Sequence, residues 1–393
     1  MILNLKQYPI KVLFPLNHAY QIDTTINTSP FSALIIDQLT QLGHFLMVNG
    51  RAHPSIVAAG YWLRKSHLSS IKAEYPIEQL HAKGTVFHIA PGNVDTLFFY
   101  SMVISALCGN QTILRMSNKL SDEAQVLLDL MNQFHALQAD NELLVSLLTV
   151  IQYQRDDVIT AKISRISYGR VIWGTDQSIK HISQFPLGSH DANNICFPDR
   201  YSVAVIQIKN ESQLDSAVEN LLRDIKPYFQ QACSSPKVVY WLNTAQKLQN
   251  EFWRLLANKL NQQEHLEAAD LMSQLLYLQR LPLLLSADIV DKHKCLLKKY
   301  DLLQVMEVES ITLDSIKSHC GLWVLLSLKI NSLDDIELFE HCQTMTVSGL
   351  DKSQCKHWQS TTLQPLIRIV PAGQALAFSH LWDGVDLIEK LTS

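Results

Sequence analysis

Apolar and polar residues alternate in blocks along the chain from residue 84 onwards. The run GTVFHIA predicts a buried strand at 84–90, the polar PGNVD a turn at 91–95, and TLFFYSMVISALCG a helix at 96–109. More apolar runs predict strands: QTILRM (111–116), LLVSLLTVI (143–151), RVIWG (170–174), YSVAVIQI (201–208) and KVVYWL (237–242). Strands that alternate with helices at this interval are typical of a mostly parallel sheet covered on both faces. The sequence therefore predicts a doubly wound α/β fold.

Two further segments carry an apolar stripe at helical spacing. Ser121 is predicted as the N-cap of the first helix, with the stripe Ala124, Leu127, Leu128 and Met131. Ser212 is predicted as the N-cap of the second helix, with the stripe Leu214, Ala217, Val218, Leu221, Leu222 and Ile225. The second helix leads the chain into Pro227 and the loop QQACSSP.

Length and composition predict two domains. The chain has 393 residues, of which 47% are apolar, and a single hydrophobic core usually stops growing near ~250–300 residues. The segment from about 243 to 345 mixes helices with strands such as GLWVLLSLKI and is interpreted as a second α/β unit. The apolar end of the chain, from residue 365, suits packing against another domain or another subunit.

Charge and hydropathy exclude several classes of partner. The formal net charge is −4, from 33 basic and 37 acidic side chains, so no basic face for nucleic acid is expected. The opening segment lacks a basic start followed by a long apolar core. The most apolar later run, LYLQRLPLLLSA, is shorter than the ~20 residues that span a bilayer. We expect a cytoplasmic protein without a membrane span.

The cysteines indicate thiols rather than a disulfide framework or a metal centre. Seven cysteines are scattered along the chain and none forms a C-x-x-C motif. The pairs at 319–320 and 341–342 join a histidine to a cysteine, but adjacent strand residues point to opposite faces and the usual ligand spacing is missing. We predict no metal site.

Cys233 lies between a predicted helix and a predicted strand, with the small neighbours Ala232, Ser234 and Ser235. Backbone N–H groups in such a loop can lower the pKa of a thiol and hold an oxyanion. A thiolate there would attack carbonyls and thioesters. The alternative is an inert packed cysteine, which this loop alone does not exclude.

Two more turns follow predicted strands, where open α/β sheets bind ligands. Asn93 could donate a hydrogen bond to an oxyanion, or it could be a turn residue that satisfies its own backbone. Gly174, Thr175 and Asp176 open a predicted helix, whose N-terminus attracts phosphate. This second signal is weak alone, because Asp176 repels an anion and such turns are frequent.

Seven stretches in this order resemble the LuxC-type acyl-CoA or acyl-protein thioester reductases of bacterial bioluminescence, within the aldehyde dehydrogenase superfamily. The resemblance runs from about residue 84 to the end, and the first eighty residues match weakly. The stretches are FHIAPGNV, CGNQTILRMS, RVIWGTDQSI, DRYSVAVI, QQACSSPKVVYW, QTMTVSGLD and RIVPAGQALAFSHLWDG.

The resemblance implies an aldehyde dehydrogenase-like fold and a division of the chain. It implies an N-terminal segment at 1–83 that packs on the cofactor domain, a dinucleotide-binding domain at 84–226, and a catalytic domain at 227–345. The last segment, 346–393, is expected to return to the cofactor domain or to form an oligomer interface.

The resemblance also implies roles for individual residues. Cys233 corresponds to the acylated nucleophile, and Asn93 to the amide of the oxyanion hole. Arg115 and Ser117 stand where the superfamily contacts the adenosine ribose. Gly174 and Thr175 correspond to the turn against the cofactor pyrophosphate.

NADPH is the expected cofactor. Asn118 stands where NAD-selective relatives often carry a glutamate that would repel a 2′-phosphate, and Arg115 adds a positive charge nearby. The stretch ANNICFPDRYS offers no equivalent of the water-activating glutamate of hydrolytic relatives, and Asp199 fits no base motif. This departure favours reduction of a thioester over oxidation of an aldehyde. A second departure, Asp95 in place of a proline, puts the precision of the oxyanion hole in doubt.

The expected function is NADPH-dependent reduction of an acyl thioester to an aldehyde through an acyl-cysteine. Two alternatives remain open: a non-catalytic scaffold that binds a nucleotide or an acyl-transfer partner, and an aldehyde-oxidising dehydrogenase. The resemblance implies an acyl-transferring synthetase as a partner, or a homo-oligomer. Phe98, Phe99 and Tyr100 either line an acyl tunnel or belong to a packed helix.

Overall fold

The computed structural model describes residues 2–4, 6–16, 21–90, 96–137, 142–262, 264–285, 295–362 and 368–393. The described strands are, in chain order, β1 (Ile2–Asn4), β2 (Lys11–Phe14), β3 (Gln21–Asp23), β4 (Thr85–Ile89), β5 (Gln111–Met116), β6 (Leu148–Gln152), β7 (Gly169–Trp173), β8 (Asn193–Phe197), β9 (Tyr201–Ile206), β10 (Pro236–Leu242), β11 (Leu296–Tyr300), β12 (Leu303–Glu307), β13 (Val324–Ile330), β14 (Cys342–Ser348), β15 (Arg368–Pro371), β16 (Leu381–Trp382) and β17 (Val385–Asp386).

The described helices follow the same order along the chain. They are α1 (Ala33–Asn49), α2 (Pro54–Trp62), α3 (Lys65–Ala73), α4 (Leu97–Leu107), α5 (Asp122–Leu137), α6 (Glu142–Leu147), α7 (Asp157–Arg165), α8 (Asp176–Ser183), α9 (Leu214–Ile225), α10 (Gln246–Asn261), α11 (Ala268–Leu285), α12 (Leu313–Lys317), α13 (Lys352–Thr361) and α14 (Leu387–Leu391). None of these described helices is long and apolar enough to cross a membrane.

The first compact unit comprises Met1–Pro198 and Phe378–Ser393. Its described residues build a sheet in the order β2-β6-β5-β4-β7-β8, in which β2 is antiparallel to β6 and the other neighbours are parallel. Consecutive strand residues enter opposite layers: Val171 joins the layer under α1, α4 and α5, and Ile172 joins the layer under α7 and α8. The sheet is therefore covered by helices on both faces.

The second compact unit comprises Asp199–Ala377. Its described strands form a sheet in the order β11-β12-β13-β10-β9-β14-β15, with only the β11–β12 pair antiparallel. Val238 packs in the layer with α11 and α13, and Val239 packs in the layer with α9 and α10. This unit is also a doubly wound α/β sheet, and the predicted α/β fold class is confirmed.

The two compact units divide after Pro198, whereas the predicted cofactor domain runs to residue 226. β9 pairs with β10 on one side and with β14 on the other, so β9 and α9 belong to the second unit. Residues 1–83 lie in the first unit, and of the last segment only 378–393 lie there.

Two local predictions were wrong. The run at 143–151 is not one strand, because α6 occupies its first half and β6 begins at Leu148. A continuous apolar run does not distinguish a buried helix from a strand. Ser212 does not cap α9: it lies in a 3₁₀ turn before that helix and donates to Asn210 Oδ1 at 2.5 Å. The predicted cap at Ser121 is confirmed, because its Oγ accepts from Ala124 N at 3.1 Å.

Candidate active site

Cys233 lies in the second unit, in a tight turn directly before β10. Ser235 N donates to Ala232 O at 3.0 Å and closes the turn. On β9, Ser202 Oγ donates to Cys233 O at 2.8 Å and ties the turn to the sheet. Cys233 is half-buried, whereas Ala232, Ser234 and Ser235 are buried. The turn therefore exposes its thiol residue in part and packs the residues around it.

The segment before the thiol has an unusual backbone. Tyr228, Phe229 and Gln230 have φ of 54°, 52° and 61°, in the left-handed region that non-glycine residues rarely adopt. Three consecutive residues at 321–323 also have positive φ, of 70°, 52° and 57°. A non-glycine residue in this region costs about 1–3 kcal/mol and persists only where surrounding contacts fix it, whereas Gly321 adopts it at little cost. Backbone strain of this kind clusters at functional sites.

Contacts between these two segments supply that fixation. Leu322 N donates to Phe229 O at 2.7 Å. The fully buried Gln230 donates through Nε2 to Pro236 O at 2.8 Å and to Val324 O at 2.9 Å. Trp323 also packs its ring against Phe229, with centroids 5.5 Å apart. The approach to Cys233 is thus held by hydrogen bonds on both sides.

Several titratable groups that the sequence did not predict lie near Lys237. Burial lowers the pKa of Lys237, and the nearby Cys233, Asp199 and Cys320 oppose this shift only in part. Burial raises the pKa of Cys320 to about 12. Burial and the nearby ammonium hold the pKa of His319 well below its usual range, so this imidazole is neutral.

The other candidate residues lie in the first unit, at the carboxyl edge of its sheet. β4 lies between β5 and β7, and the chain order reverses there: β5 and β6 extend the sheet on one side, β7 and β8 on the other. Such a switch point is where open α/β sheets bind ligands. Asn93 and Asp95 follow β4 but lie outside the described residues.

Arg115 and Ser117 lie at the end of β5. The Arg115 guanidinium is 4.6 Å from the ring centroid of Tyr153, and its Nη2 donates to Tyr153 O at 3.4 Å. Among the described residues, no group accepts from its Nε. Ser117 O accepts from Gln152 Nε2 at 2.7 Å, and its Oγ accepts weakly from Lys119 N at 3.4 Å. A cation and a hydroxyl therefore lie close together at this strand end.

Gly174 and Thr175 connect β7 to α8, as the sequence predicts. Gly174 N donates to Phe197 O at 3.2 Å. Thr175 is the N-cap of α8, because its Oγ1 accepts from Ser178 N at 3.2 Å. A Cβ on Gly174 would meet only Ser178 Cβ, at 3.6 Å, so side-chain space alone does not require glycine here.

These groups fit a phosphate-bearing dinucleotide. A guanidinium, hydroxyl groups and a helix N-terminus are donors that phosphate and ribose oxygens accept from. They stand at the ends of β5 and β7, on either side of β4, on the same sheet edge. Asp176, in the first turn of α8, opposes an anion and is exposed.

The aromatic run at the start of α4 belongs mainly to the core. Phe98 and Phe99 are 1% and 0% exposed. Tyr100 stacks on Phe378, with centroids 4.3 Å apart, and Phe378 stacks on Trp382 at 5.1 Å. Packing of the first unit therefore accounts for Phe98 and Phe99.

The cysteines form no disulfide: all seven lie in the described part of the chain and carry free thiols. No group of three or more His, Cys, Asp or Glu side chains is placed to hold a metal ion in the ranges that the structure describes.

Comparison with known families gives one sequence match. The profile of the LuxC acyl-CoA reductases matches residues 66–274. This range contains Arg115, Ser117, Gly174, Thr175 and Cys233. No curated protein matches the chain.

Solved aldehyde dehydrogenases share the fold. A mutant 1-pyrroline-5-carboxylate dehydrogenase from Thermus thermophilus has a TM-score of 0.65 at 10% identity, over 94% of this chain and 83% of that one. A mutant indole-3-acetaldehyde dehydrogenase from P. syringae, in complex with NAD⁺ and IAA, has 0.64 at 10% identity, over 91% and 82%. Aldehyde dehydrogenase 21 from Physcomitrella patens, in complex with succinate, has 0.62 at 9% identity, over 93% and 85%. The predicted aldehyde dehydrogenase-like architecture is confirmed.

Proposed function

Because the chain belongs to the LuxC family of acyl-CoA reductases, we propose that it reduces an acyl thioester to an aldehyde with NADPH, through an acyl group carried on Cys233. The family and the fold support an oxidoreductase that acts on an acyl-CoA or on an aldehyde. The observation that carries the finer proposal is the turn at 232–235. Its cysteine is half-buried and carries a free thiol, and the strained segment before it is held by hydrogen bonds of the Gln230 side chain.

The chemistry at the thiol follows from this placement. The Cys233 thiolate attacks the thioester carbonyl, and the carrier thiolate leaves, so one thioester replaces another at little cost in free energy. After reduction, the thiohemiacetal on Cys233 collapses, its C–S bond breaks, and aldehyde leaves while the thiolate returns. The Cys233 N–H, together with the predicted amide of Asn93, would stabilise the oxyanion in both steps.

The cofactor assignment rests on the donors at the edge of the first sheet. Arg115 and Ser117 would hold the adenosine ribose, and Gly174 and Thr175 the pyrophosphate. When bound, NADPH supplies the hydride. The neutral, exposed Asn118 and the Arg115 guanidinium support a 2′-phosphate over a free 2′-hydroxyl.

The stretch ANNICFPDRYS supports reduction rather than aldehyde oxidation. It offers no equivalent of the water-activating glutamate of hydrolytic relatives, and its exposed Asp199 fits no base motif. Hydrolysis of the acyl-enzyme would waste the intermediate, and a reductive enzyme has no use for a water-activating base. An acyl-transferring synthetase partner and self-association stay predictions, and light scattering of the purified chain with and without such a partner tests them.

Cys233→Ala tests the nucleophile, with Cys295→Ala as the matched control, because Cys295 is also half-buried and in the same unit. Intact mass after incubation with acyl-CoA should show one acyl adduct on the native protein and on the control, and none on Cys233→Ala. NADPH oxidation with aldehyde formation should follow the same pattern. Aldehyde production by Cys233→Ala would refute the assignment.

The same measurements distinguish the two alternative functions. Acylation of Cys233 without turnover would favour a scaffold, and acid formed from aldehyde would favour an oxidising dehydrogenase.

A further inference from the structure

The side chain of Ser202 contacts the backbone of the proposed nucleophile itself. Ser202 is fully buried on β9, and its Oγ donates to Cys233 O at 2.8 Å. The two residues are 31 positions apart in the chain. β9 is an interior strand of its sheet, between β10 and β14. The hydrogen bond therefore fixes the turn at 232–235 from a neighbouring strand in the middle of the sheet.

A β-bulge in β10 brings this turn level with the Ser202 hydroxyl. Pro236 lies opposite Ser202 and Val238 lies opposite Val203, so Lys237 is an extra residue of β10 without a partner in β9. In a regular pairing Lys237 would lie opposite Ser202, and the turn before β10 would be displaced by one residue along β9. The bulge removes that displacement.

A second bulge lies on the other side of β9. Tyr201 pairs with Cys342 and Ser202 pairs with Thr344, so β14 also carries one extra residue beside Ser202. Thr344 lies opposite Arg368 of β15, and its Oγ1 accepts from Arg368 Nε at 2.8 Å. Bulges re-aim side chains and are frequent next to active sites. Here two of them flank one buried serine.

The hydrogen bond controls the orientation of the peptide group between Cys233 and Ser234. A peptide group is planar, so its C=O cannot rotate without the rest of the group. Because Ser202 holds the Cys233 C=O, rotation about the bond from Cα to this carbonyl carbon would break the hydrogen bond. The direction of the Cys233 side chain is held in the same way. Attack on a carbonyl carbon depends on such alignment, and a displacement of about 1 Å can cost about a hundredfold in rate.

We propose that Ser202 is a positioning residue for acyl transfer: its hydroxyl holds the Cys233 carbonyl and thereby the direction of the thiol toward the thioester. This inference rests on the proposed function and deepens it. The hydroxyl bonds a carbonyl oxygen and not the sulfur. It therefore acts on the geometry of attack and leaves the fraction of thiolate unchanged.

Ser202→Ala removes the hydroxyl, and two rates at Cys233 report the effect. Acylation by acyl-CoA without NADPH, followed by intact mass, requires alignment. Its maximal rate should fall about ten- to a hundredfold, while the thioester concentration that gives half of that rate stays native. Alkylation by iodoacetamide, followed on the Cys233 peptide, needs no oriented substrate and reports the thiolate. Its rate and its pH profile should equal the native ones.

Ser327→Ala is the matched control. Ser327 is also a buried serine in a strand of this sheet, and its Oγ accepts from Trp241 Nε1 at 3.1 Å. It lies on β13 opposite Val239, within the strand rather than at the turn. Loss of this hydroxyl should leave both rates at Cys233 unchanged.

Ser202→Thr and Ser202→Val separate the hydroxyl from packing, because the two new side chains have nearly the same shape. The threonine variant should acylate at close to the native rate, and the valine variant as slowly as Ser202→Ala. This pair also provides the comparison if the alanine variant does not fold.

The outcomes distinguish this inference from the proposed function. Equal acylation by the threonine and valine variants, a native acylation rate in folded Ser202→Ala, or a parallel fall of acylation and alkylation would overturn the inference and leave the proposed function intact. Absence of acylation at Cys233 in the native protein would overturn the proposed function, and this inference with it.

Discussion

At the scale of single residues, Gln230 is the main support of the strained turn that leads to Cys233. It is fully buried with φ of 61°, and its one amide group bonds two backbone carbonyls from different strands. A side chain that bridges β10 and β13 in this way compensates for the cost of the left-handed residues around it.

Gln230→Met should lower the free energy of unfolding by about 1–3 kcal/mol, because two buried carbonyls lose a donor while side-chain volume is nearly kept. Acylation of Cys233 should slow as well, since the turn loses its anchor. Urea denaturation and the rate of acyl-adduct formation measure the two effects. Gln279→Met, at an exposed position of α11, is the control and should change neither. Full stability in Gln230→Met would show that the strain is held by other contacts.

Residue types also explain which parts of the site the sequence could predict. Cys233 was selected from its small neighbours and its place between a helix and a strand, both visible in QQACSSPKVVYW. The β-bulge at Lys237 could not be predicted, because it depends on register with Ser202 and Val203 of β9, about 35 residues earlier in the chain. The positive φ values at 228–230 depend on contacts with 321–323, and the residue types at these positions do not indicate them.

At the scale of elements, α9 is joined to the turn after β15 by a buried carboxylate. Asp224 accepts from Gly373 N at 2.7 Å and from Ala375 N at 2.8 Å. Burial raises the pKa of Asp224 to about 6, although both backbone donors and Arg368 act to lower it. The attachment of this turn to α9 should therefore depend on pH.

The native Asp224 carboxyl binds its proton more tightly than the unfolded one, whose reference pKa is 3.8. Stability from this group is therefore full below about pH 4 and is lost as pH rises through about 6, with a size of ~3 kcal/mol. In Asp224→Asn this part of the pH dependence should disappear. Urea unfolding at several pH values measures it, with Asp215→Asn, exposed on the same helix, as the control. A slope in Asp224→Asn equal to the native one would assign the dependence to other groups.

The apolar pattern of the sequence predicts some helices and strands correctly and others wrongly. The stripe on α9 is buried at every predicted position, because 3.6-residue spacing leaves one face for the core. The prediction of one strand at 143–151 was wrong because a continuous apolar run does not distinguish a buried helix from a buried strand. This run contains both, α6 followed by β6. Ser212 is not the N-cap because a 3₁₀ turn precedes α9, which begins one residue later than predicted.

At the scale of the whole molecule, the proposed cofactor-binding residues and the proposed nucleophile lie on two different doubly wound sheets. The first holds Arg115, Ser117, Gly174 and Thr175 at its carboxyl edge, and the second holds Cys233 at the start of its central strand β10. Alternating strands and helices were enough to predict the fold class. The boundary between the units depends on which sheet β9 joins, and this is decided by long-range pairing with β10 and β14.

Discharge of an isolated acyl-enzyme tests the central claim most directly. The protein is incubated with acyl-CoA, freed of unbound thioester, and mixed with NADPH or NADH, while intact mass and aldehyde are followed over one turnover. We predict that the acyl mass on Cys233 disappears at the rate at which an equal amount of aldehyde appears, and faster with NADPH than with NADH. An acyl group that stays on the protein with either cofactor, or leaves as free acid, would contradict the account.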